Sequence, residues 1–550
     1  MRCANVVSPT GGPKDVTPPI VLMATPENQS TMFQGKEIHI TFDEYVTLNN
    51  PNGNILISPP LEKNPDYKLN AKSLIIKFKE PLKPETTYSI NFGESIKDLH
   101  EGNIFKDYSY VFSTGEIIDT LTLEGKLIQA DNQKPSADYY VMLYCNENDT
   151  ISLDSLPYLT KPYYLTKTDK EGNFKFSGIK ESDYLVFALK DENSNLKFDL
   201  PNESVAFLDS LVNPIYNEQL TIDNDSVKQE VKKVKPLVLY TFLQEDTIQK
   251  LLKKEVPEEG LLRFAFNRPA QDVKIEIMES LSDTFKIFKT YSVNYDTILW
   301  YFTPNKDSLL LTINYDTLIN DTTQISLKPR KTTGGRKVKT ESVSKSLEIK
   351  NNIVLGKLTP EHDFILTFKE PVTNVTMRDT SWFIVDKDTI INDLCFEKID
   401  SFGLRYKLDK VLLPEKSYKI IIPDSVFYSF KGITNDTTEF SFKVPELSEY
   451  GNIFVTVAVP ENVPQIIVEL LDDKDKLVER QIINETKKIE FKYLSPKKYK
   501  LKATIDKDGD GKWSPGDYGK KLLPEPIYFH KDVFDVKANW DIDLEEVWNL

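Results

Sequence analysis

Apolar and polar residues alternate along this chain in short runs, each closed by Pro, Asn or Gly. In KEIHITFDEYV (Lys36–Val46), Ile38, Ile40 and Phe42 share one face. That period of two is what a strand with one buried side requires. LIIKFKEPL, TYSINF and YSYVFST follow in the same style, and Tyr140, Met142 and Tyr144 alternate further on. Runs of this length, rich in Tyr, Phe, Val, Ile and Thr, predict an all-β chain of sandwiches in which helices are at most short turns.

The runs also repeat. Leu82–Phe112 (LKPETTYSINFGESIKDLHEGNIFKDYSYVF) meets Leu412–Phe442 (LLPEKSYKIIIPDSVFYSFKGITNDTTEFSF) at an offset of 330 without a gap. Eight of the 31 positions are identical, among them Pro84/Pro414, Tyr88/Tyr418, Gly102/Gly432 and Phe112/Phe442. FILTFKEPVTN mirrors TFDEYVT at offset 326. A second family pairs YLVFALKDENSNLKF (Tyr184–Phe198) with YKLKATIDKDGDGKW (Tyr499–Trp513) at offset 315. Self-similarity of this kind reports architecture before any single residue does. Here it gives two kinds of module, interleaved. LLRFAFNRPA and DSLLLTINYDTL imitate the first kind more weakly.

Composition narrows the picture. A chain of 550 residues holds several domains, and 40% hydrophobic with 28% charged residues is globular rather than disordered. A net charge of −15 argues against nucleic acid as a partner, because a nucleic-acid binder needs a basic face. One basic run stands out: Lys328, Arg330, Lys331, Arg336, Lys337 and Lys339. It reads as a solvated loop rather than a patch for acidic partners or lipid headgroups, since no aromatics are interleaved. Three cysteines are too few for a disulfide scaffold. Cys145 and Cys395 lie in strand-like contexts and read as small buried apolar residues. No run of 18 apolar residues exists to form a membrane-crossing helix.

Cys3 is different. Ala4, Asn5 and a flexible SPTGGPKDVTPP stretch follow it. A cysteine ahead of such a tether is the arrangement of a mature bacterial lipoprotein, with the acylated Cys as anchor. Only Met1 and Arg2 precede it, so the positive and apolar regions of a signal peptide are missing.

At this point a resemblance can be named. TPP, ITFDEYV, LKPETTYSINFGESIKDLHEGN and YVFSTG, in that order, resemble the bacterial Ig-like domain first described in S-layer proteins. TDKEGNFKFSGI…YLVFALKD resembles the prealbumin-like or carboxypeptidase-regulatory-like sandwich, with Gly172 expected at positive φ in its hairpin turn. With Cys3 in front, the whole is similar to a Bacteroidetes-type lipoprotein. The resemblance implies an elongated array of tandem β-sandwiches. Residues 1–18 are anchor and tether, 19–116 Ig-like, 117–213 prealbumin-like, 214–236 a linker, 237–350 Ig-like, 351–448 an Ig-like repeat of the first, and 449–550 prealbumin-like with a calcium-type loop.

That loop is the strongest local constellation. Ca²⁺ takes six to eight hard oxygens, and a 12-residue loop of the EF type supplies them from positions 1, 3, 5, 7, 9 and 12 with Gly at 6. Asp506, Asp508 and Asp510 fill the first three, and Gly511 is at 6. The Lys512 backbone carbonyl, Ser514 and Asp517 fill 7, 9 and 12. The flanks read as strands rather than helices, and position 12 is Asp rather than Glu. An Asp/Gly hairpin turn without metal is the plainer alternative. The sister loop keeps oxygens at Asp191, Asn193, Asn195 and Asp199 but lacks the glycine and has fewer charges. It is either a weaker calcium site or a degenerate one.

Catalytic residues are not indicated. His39, His100, His362 and His530 are scattered, and none of the nucleophile, zinc or phosphate motifs is present. Trp300, Trp382, Trp513, Trp540 and Trp548 are more simply core residues than sugar platforms. The expected function is a non-enzymatic scaffold, lipid-anchored to the outer membrane and working through other envelope proteins. The alternatives are an accessory subunit of an outer-membrane transport or assembly complex, and a glycan-binding surface lipoprotein.

Overall fold

The computed structural model describes residues 15–106, 108–145, 151–215, 218–221, 231–234, 236–292, 294–316, 319–329, 346–386, 389–391 and 394–550. Cys3 and the basic run beyond Lys328 lie outside them. The chain forms two compact units, Met1–Glu245 with Thr504–Ile527, and Asp246–Ala503 with Tyr528–Leu550. Both are all-β, built of tandem sandwiches.

The first unit opens with strands β1 (Val21–Thr25), β2 (Glu37–Phe42), β3 (Val46–Leu48), β4 (Leu56–Ser58), β5 (Asp66–Asn70), β6 (Ser73–Lys77), β7 (Thr87–Asn91), β8 (Ile96–Asp98) and β9 (Ser109–Ser113). One sheet runs β1-β2-β6-β5 and the other β4-β7-β9, with β3 paired to β8. The alternating positions read from the sequence, Ile38, Ile40 and Phe42, meet Leu74, Ile76, Tyr88, Ile90 and Phe112 in one buried core. The Tyr88 hydroxyl accepts from the Lys83 N–H at 2.9 Å, and its ring stacks on Phe112 at 5.4 Å. A tyrosine thus pins the turn that leads into its own strand.

The second sandwich follows with β10 (Leu121–Gln129), β11 (Tyr140–Tyr144), β12 (Tyr164–Lys167), β13 (Asn173–Ile179), β14 (Leu185–Leu189), β15 (Ser204–Phe207), the hairpin β16 (Glu218–Thr221) and β17 (Val231–Val234), and β18 (Leu237–Leu243). Seven strands form the order β12-β11-β14-β15-β18-β10-β13. The two sandwiches are joined by polar contacts: Leu165 N–H to Ser58 Oγ at 3.0 Å, Asp119 N–H to Thr87 Oγ1 at 2.9 Å, and Lys161 Nζ to the Leu61 carbonyl at 2.9 Å.

In the second unit, residues 251–327 and 347–444 build two separate cores. Their four-stranded sheets share the order of the first sandwich. Leu251–Glu258, Leu261–Phe266, Thr297–Phe302 and Ile287–Tyr291 form one; Ile349–Asn351, Ile365–Phe368, Arg405–Leu408 and Phe396–Lys398 form the other. Tyr418 repeats the role of Tyr88, accepting from Leu413 N–H at 2.7 Å and stacking on Phe442 at 5.5 Å. Phe430 packs between Phe288 and Tyr301 at 6.3 and 6.1 Å. A further core gathers residues 453–550, with Ile453, Val468, Phe491, Tyr499 and Val536 at its centre.

Two expectations are corrected. The third module does not begin at Leu237. β18 runs parallel to β10, from Gly125↔Leu237 to Gln129↔Thr241, and antiparallel to β15, burying Leu239 and Phe242 in the second sandwich. A parallel partner more than a hundred residues away leaves no turn signal to read. The last module makes the same move, with Gly451–Val457 parallel to Asp541–Asp543. Cys395 is exposed rather than buried, while Cys145 is half-buried against the second core.

Candidate metal centre

Asp506 ends the strand Lys498–Asp506 and is fully buried. A buried carboxylate is tolerable only when its lone pairs are satisfied. Its Oδ1 accepts from Gly509 N–H at 2.7 Å and its Oδ2 from Gly511 N–H at 2.8 Å. Both donors sit at positive φ, 75° and 77°, a conformation glycine adopts freely. Asp508 Oδ1 accepts from Asp510 N–H at 3.1 Å, and its Oδ2 from the Ser514 hydroxyl at 3.0 Å. Asp510 Oδ1 accepts from Lys512 N–H at 2.6 Å. The loop is closed by Glu525, whose Oε1 accepts from Lys507 N–H at 2.5 Å and Oε2 from Ser514 N–H at 2.9 Å.

Asp506, Asp508 and Glu525 each offer a carboxylate oxygen, and these lie within 4.8 Å of one another. Among the described residues this is the one such group of three acidic, His or Cys side chains. Unit charges at that separation repel by about 3–4 kcal/mol at an effective dielectric near 20. The Glu525 carboxyl shows the strain: burial pushes it above the ordinary range, and Asp506 and Asp508 add to the push against its two backbone donors. Hard oxygens at this spacing fit a Ca²⁺-type cation.

The site departs from the sequence reading at two positions: Asp510, which accepts from Lys512 N–H in its own turn, is outside the group of three, and so is position 12. Asp517 is not in the cluster. Its carboxylate caps its own turn, accepting from Lys520 N–H at 3.1 Å and pairing with Lys520 Nζ at 3.2 Å. Glu525 stands there instead. It was legible only by carrying the 315-offset repeat past Asp199/Ser514 with a gap. Glu203 follows Asp199 by four residues and Glu525 follows Ser514 by eleven, so the later loop is seven residues longer.

The sister loop repeats the hydrogen-bond pattern position by position. Asp191 accepts from Ser194 N–H at 2.7 Å and Leu196 N–H at 2.8 Å. Fully buried Glu203 accepts from Glu192 N–H at 3.2 Å and Asp199 N–H at 3.1 Å. Where the later loop has Asp508 and Asp510, this one has Asn193 and Asn195, whose amides donate to the two oxygens of Asp199 at 2.9 and 2.7 Å. Amide N–H groups thus stand in this loop where the later one has carboxylates. Ser194 and Leu196 hold positive φ, 61° and 59°, where the later loop has glycine.

The remaining candidates do not converge. Trp300 is buried, Trp382 and Trp540 are over a third exposed, and Trp513 and Trp548 pack against cores. His39 is half-buried beside Glu37.

Residues 15–114 match the family model described as bacterial Ig-like domain, so the first sandwich is a domain of that kind. No curated protein sequence matches the chain. Among solved structures, the surface-layer protein SbsC is 13% identical, with 88% of this chain and 64% of that one covered at a TM-score of 0.14. The major pilin subunit BcpA of Bacillus cereus is 12% identical, with 78% and 99% covered at 0.13. A Bacteroides ovatus protein, SGBP-B of a mixed-linkage glucan utilization locus, solved with a heptasaccharide, is 9% identical, with 75% and 94% covered at 0.19.

Proposed function

We propose that this is a non-enzymatic scaffold of the bacterial cell envelope, tethered to the outer membrane through acylated Cys3, with a structural calcium ion at Asp506, Asp508 and Glu525. The observation that carries the calcium part is the pair of matched loops. One is closed by amide donors and the other is left with converging carboxylates. The Bacterial Ig-like match of residues 15–114 supports the scaffold part. A cation bound only by the folded state stabilises it by RT ln(1 + [L]/Kd), about 2.7 kcal/mol at a hundredfold excess over Kd. Calcium is therefore expected to raise the Tm of the full chain, and Asp508→Ala to abolish the rise. An unchanged Tm on adding calcium or EDTA removes the ion from the account. Anchoring is tested by fractionation, where Cys3→Ala should release the protein from the membrane.

One observation favours glycan capture as a second reading. A cleft of about 420 Å³ between the first two sandwiches is lined by Tyr67, Tyr140, Asn52 and Asn64, with the charged Lys161 and Asp191 also on its wall. Phenols, amides and apolar rims are what an uncharged sugar chain needs. Retention on immobilised neutral polysaccharide that is lost in Tyr67→Ala supports it; equal passage of both forms rejects it.

A further inference from the structure

The seven extra residues of the acidic loop have a structural purpose of their own. They carry Asp517–Leu522, a tight turn closed by Asp517 N–H to the Leu522 carbonyl at 2.8 Å and Leu522 N–H to the Asp517 carbonyl at 2.9 Å. From this turn Tyr518 enters the second sandwich and is 1% exposed. Its ring lies 4.9 Å from Phe187, 5.1 Å from Phe207 and 5.6 Å from Tyr158, edge-on or tilted to each. These are the separations at which aromatic pairs attract beyond simple burial.

Polar groups read the same turn. The Tyr518 hydroxyl donates to the Asp154 carbonyl at 3.0 Å, and its backbone N–H donates to Gln244 Oε1 at 3.1 Å. Three residues on, Lys521 pairs with the Asp154 carboxylate at 2.6 Å while its ammonium sits 4.2 Å from the Tyr518 ring centre. A lysine in that place is held twice, by charge and by the ring face. Gly516 permits the approach, since a Cβ there would come within 2.6 Å of the Phe242 ring. Lys520, the neighbouring cation, stays outside and pairs with Asp517.

The geometry points to a docking pocket on the second sandwich that recognises a tyrosine followed three residues on by a lysine, with this chain's own turn 517–522 as its occupant. The box of Phe187, Phe207 and Tyr158 selects the ring. Asp154 reads both the hydroxyl and the lysine, so one residue enforces their spacing. Gln244 reads the backbone. This holds whether or not the acidic cradle takes a cation, because none of these contacts involves Asp506, Asp508 or Glu525.

The test uses the full chain and Tyr518→Ala, whose far-UV spectrum is first matched to the wild type. Cleavage by a lysine-specific protease at Lys520 and Lys521 should quicken at least tenfold in the variant. A labelled peptide spanning 513–525, at up to millimolar concentration, should bind Tyr518→Ala and leave the wild type, whose pocket is filled, unlabelled. The same peptide with Tyr518 or Lys521 replaced by Ala should bind at least fivefold more weakly. Should Tyr518→Ala fail to match the wild-type spectrum, Lys521→Ala in the full chain takes its place and should quicken cleavage at Lys520 about threefold. Unchanged cleavage, or a folded variant that ignores the peptide, overturns the proposal.

Discussion

Asp98 shows how much one side chain can organise. Its carboxylate accepts from four successive backbone N–H groups, His100, Glu101, Gly102 and Asn103, at 2.9, 2.5, 2.9 and 2.7 Å. Burial disfavours its charge, but those donors outweigh the penalty and hold the group below the ordinary aspartate value. A folded-state pKa below the unfolded one contributes stability above the unfolded value, near 3.9, which is lost as pH falls through the folded value. Asp98→Asn should therefore lower Tm at neutral pH, and the gap to wild type should narrow in melts below about pH 4. Glycines give a second contrast at this scale. Gly102 and Gly172 both sit at positive φ, 79° and 78°. A Cβ at Gly102 meets nothing within 4 Å, whereas at Gly172 it meets the Leu127 carbonyl oxygen at 2.4 Å. Gly102→Ala should cost about 1–2 kcal/mol, the left-handed penalty alone, and Gly172→Ala clearly more, as read by urea denaturation. Asp506, Asp508 and Ser514 were legible from spacing because each acts within a few residues of its partner. Glu525 was hidden by the insertion that separates it from them.

At the scale of elements, strands and their pairing partners were legible to different degrees. The Tyr88/Tyr418 turn was visible because every contact it makes is local or copied at offset 330. β18 was not, because LVLYTFL alternates as well for one sheet as for another and only the distant β10 decides. The matched loops carry the sharpest prediction here. Replacing Asn193 and Asn195 with Asp removes both donors to Asp199 and converges like charges. The double variant should lose about 1 kcal/mol in EDTA, because Asp199 is exposed and water replaces the lost donors. Calcium should return part of that loss, while Asn193→Ala with Asn195→Ala should recover nothing on adding it. Melts with and without the ion read the difference.

For the molecule as a whole, alternation indicated an all-β chain, composition a globular one, and charge argued only against a nucleic-acid partner. The sandwich count followed from repeats, yet the placing of 504–527 with the first unit did not, because nothing in GDYGKKL says where its tyrosine is buried. In the second sandwich β10 and β18, its first and last strands, are parallel neighbours; in the fifth, Gly451–Val457 and Asp541–Asp543 are. Parallel bridges Ser30↔Phe112 and Lys357↔Lys443 put the entering chain beside the last strand in the first and fourth sandwiches too. A pull on the two ends of such a domain runs along the strands, so their cross-strand bonds are sheared together instead of being unzipped one by one. Stretched singly, the second sandwich, with five consecutive parallel pairs, should yield at higher force than the fifth, with three consecutive pairs and the separate bridge Val457↔Trp548.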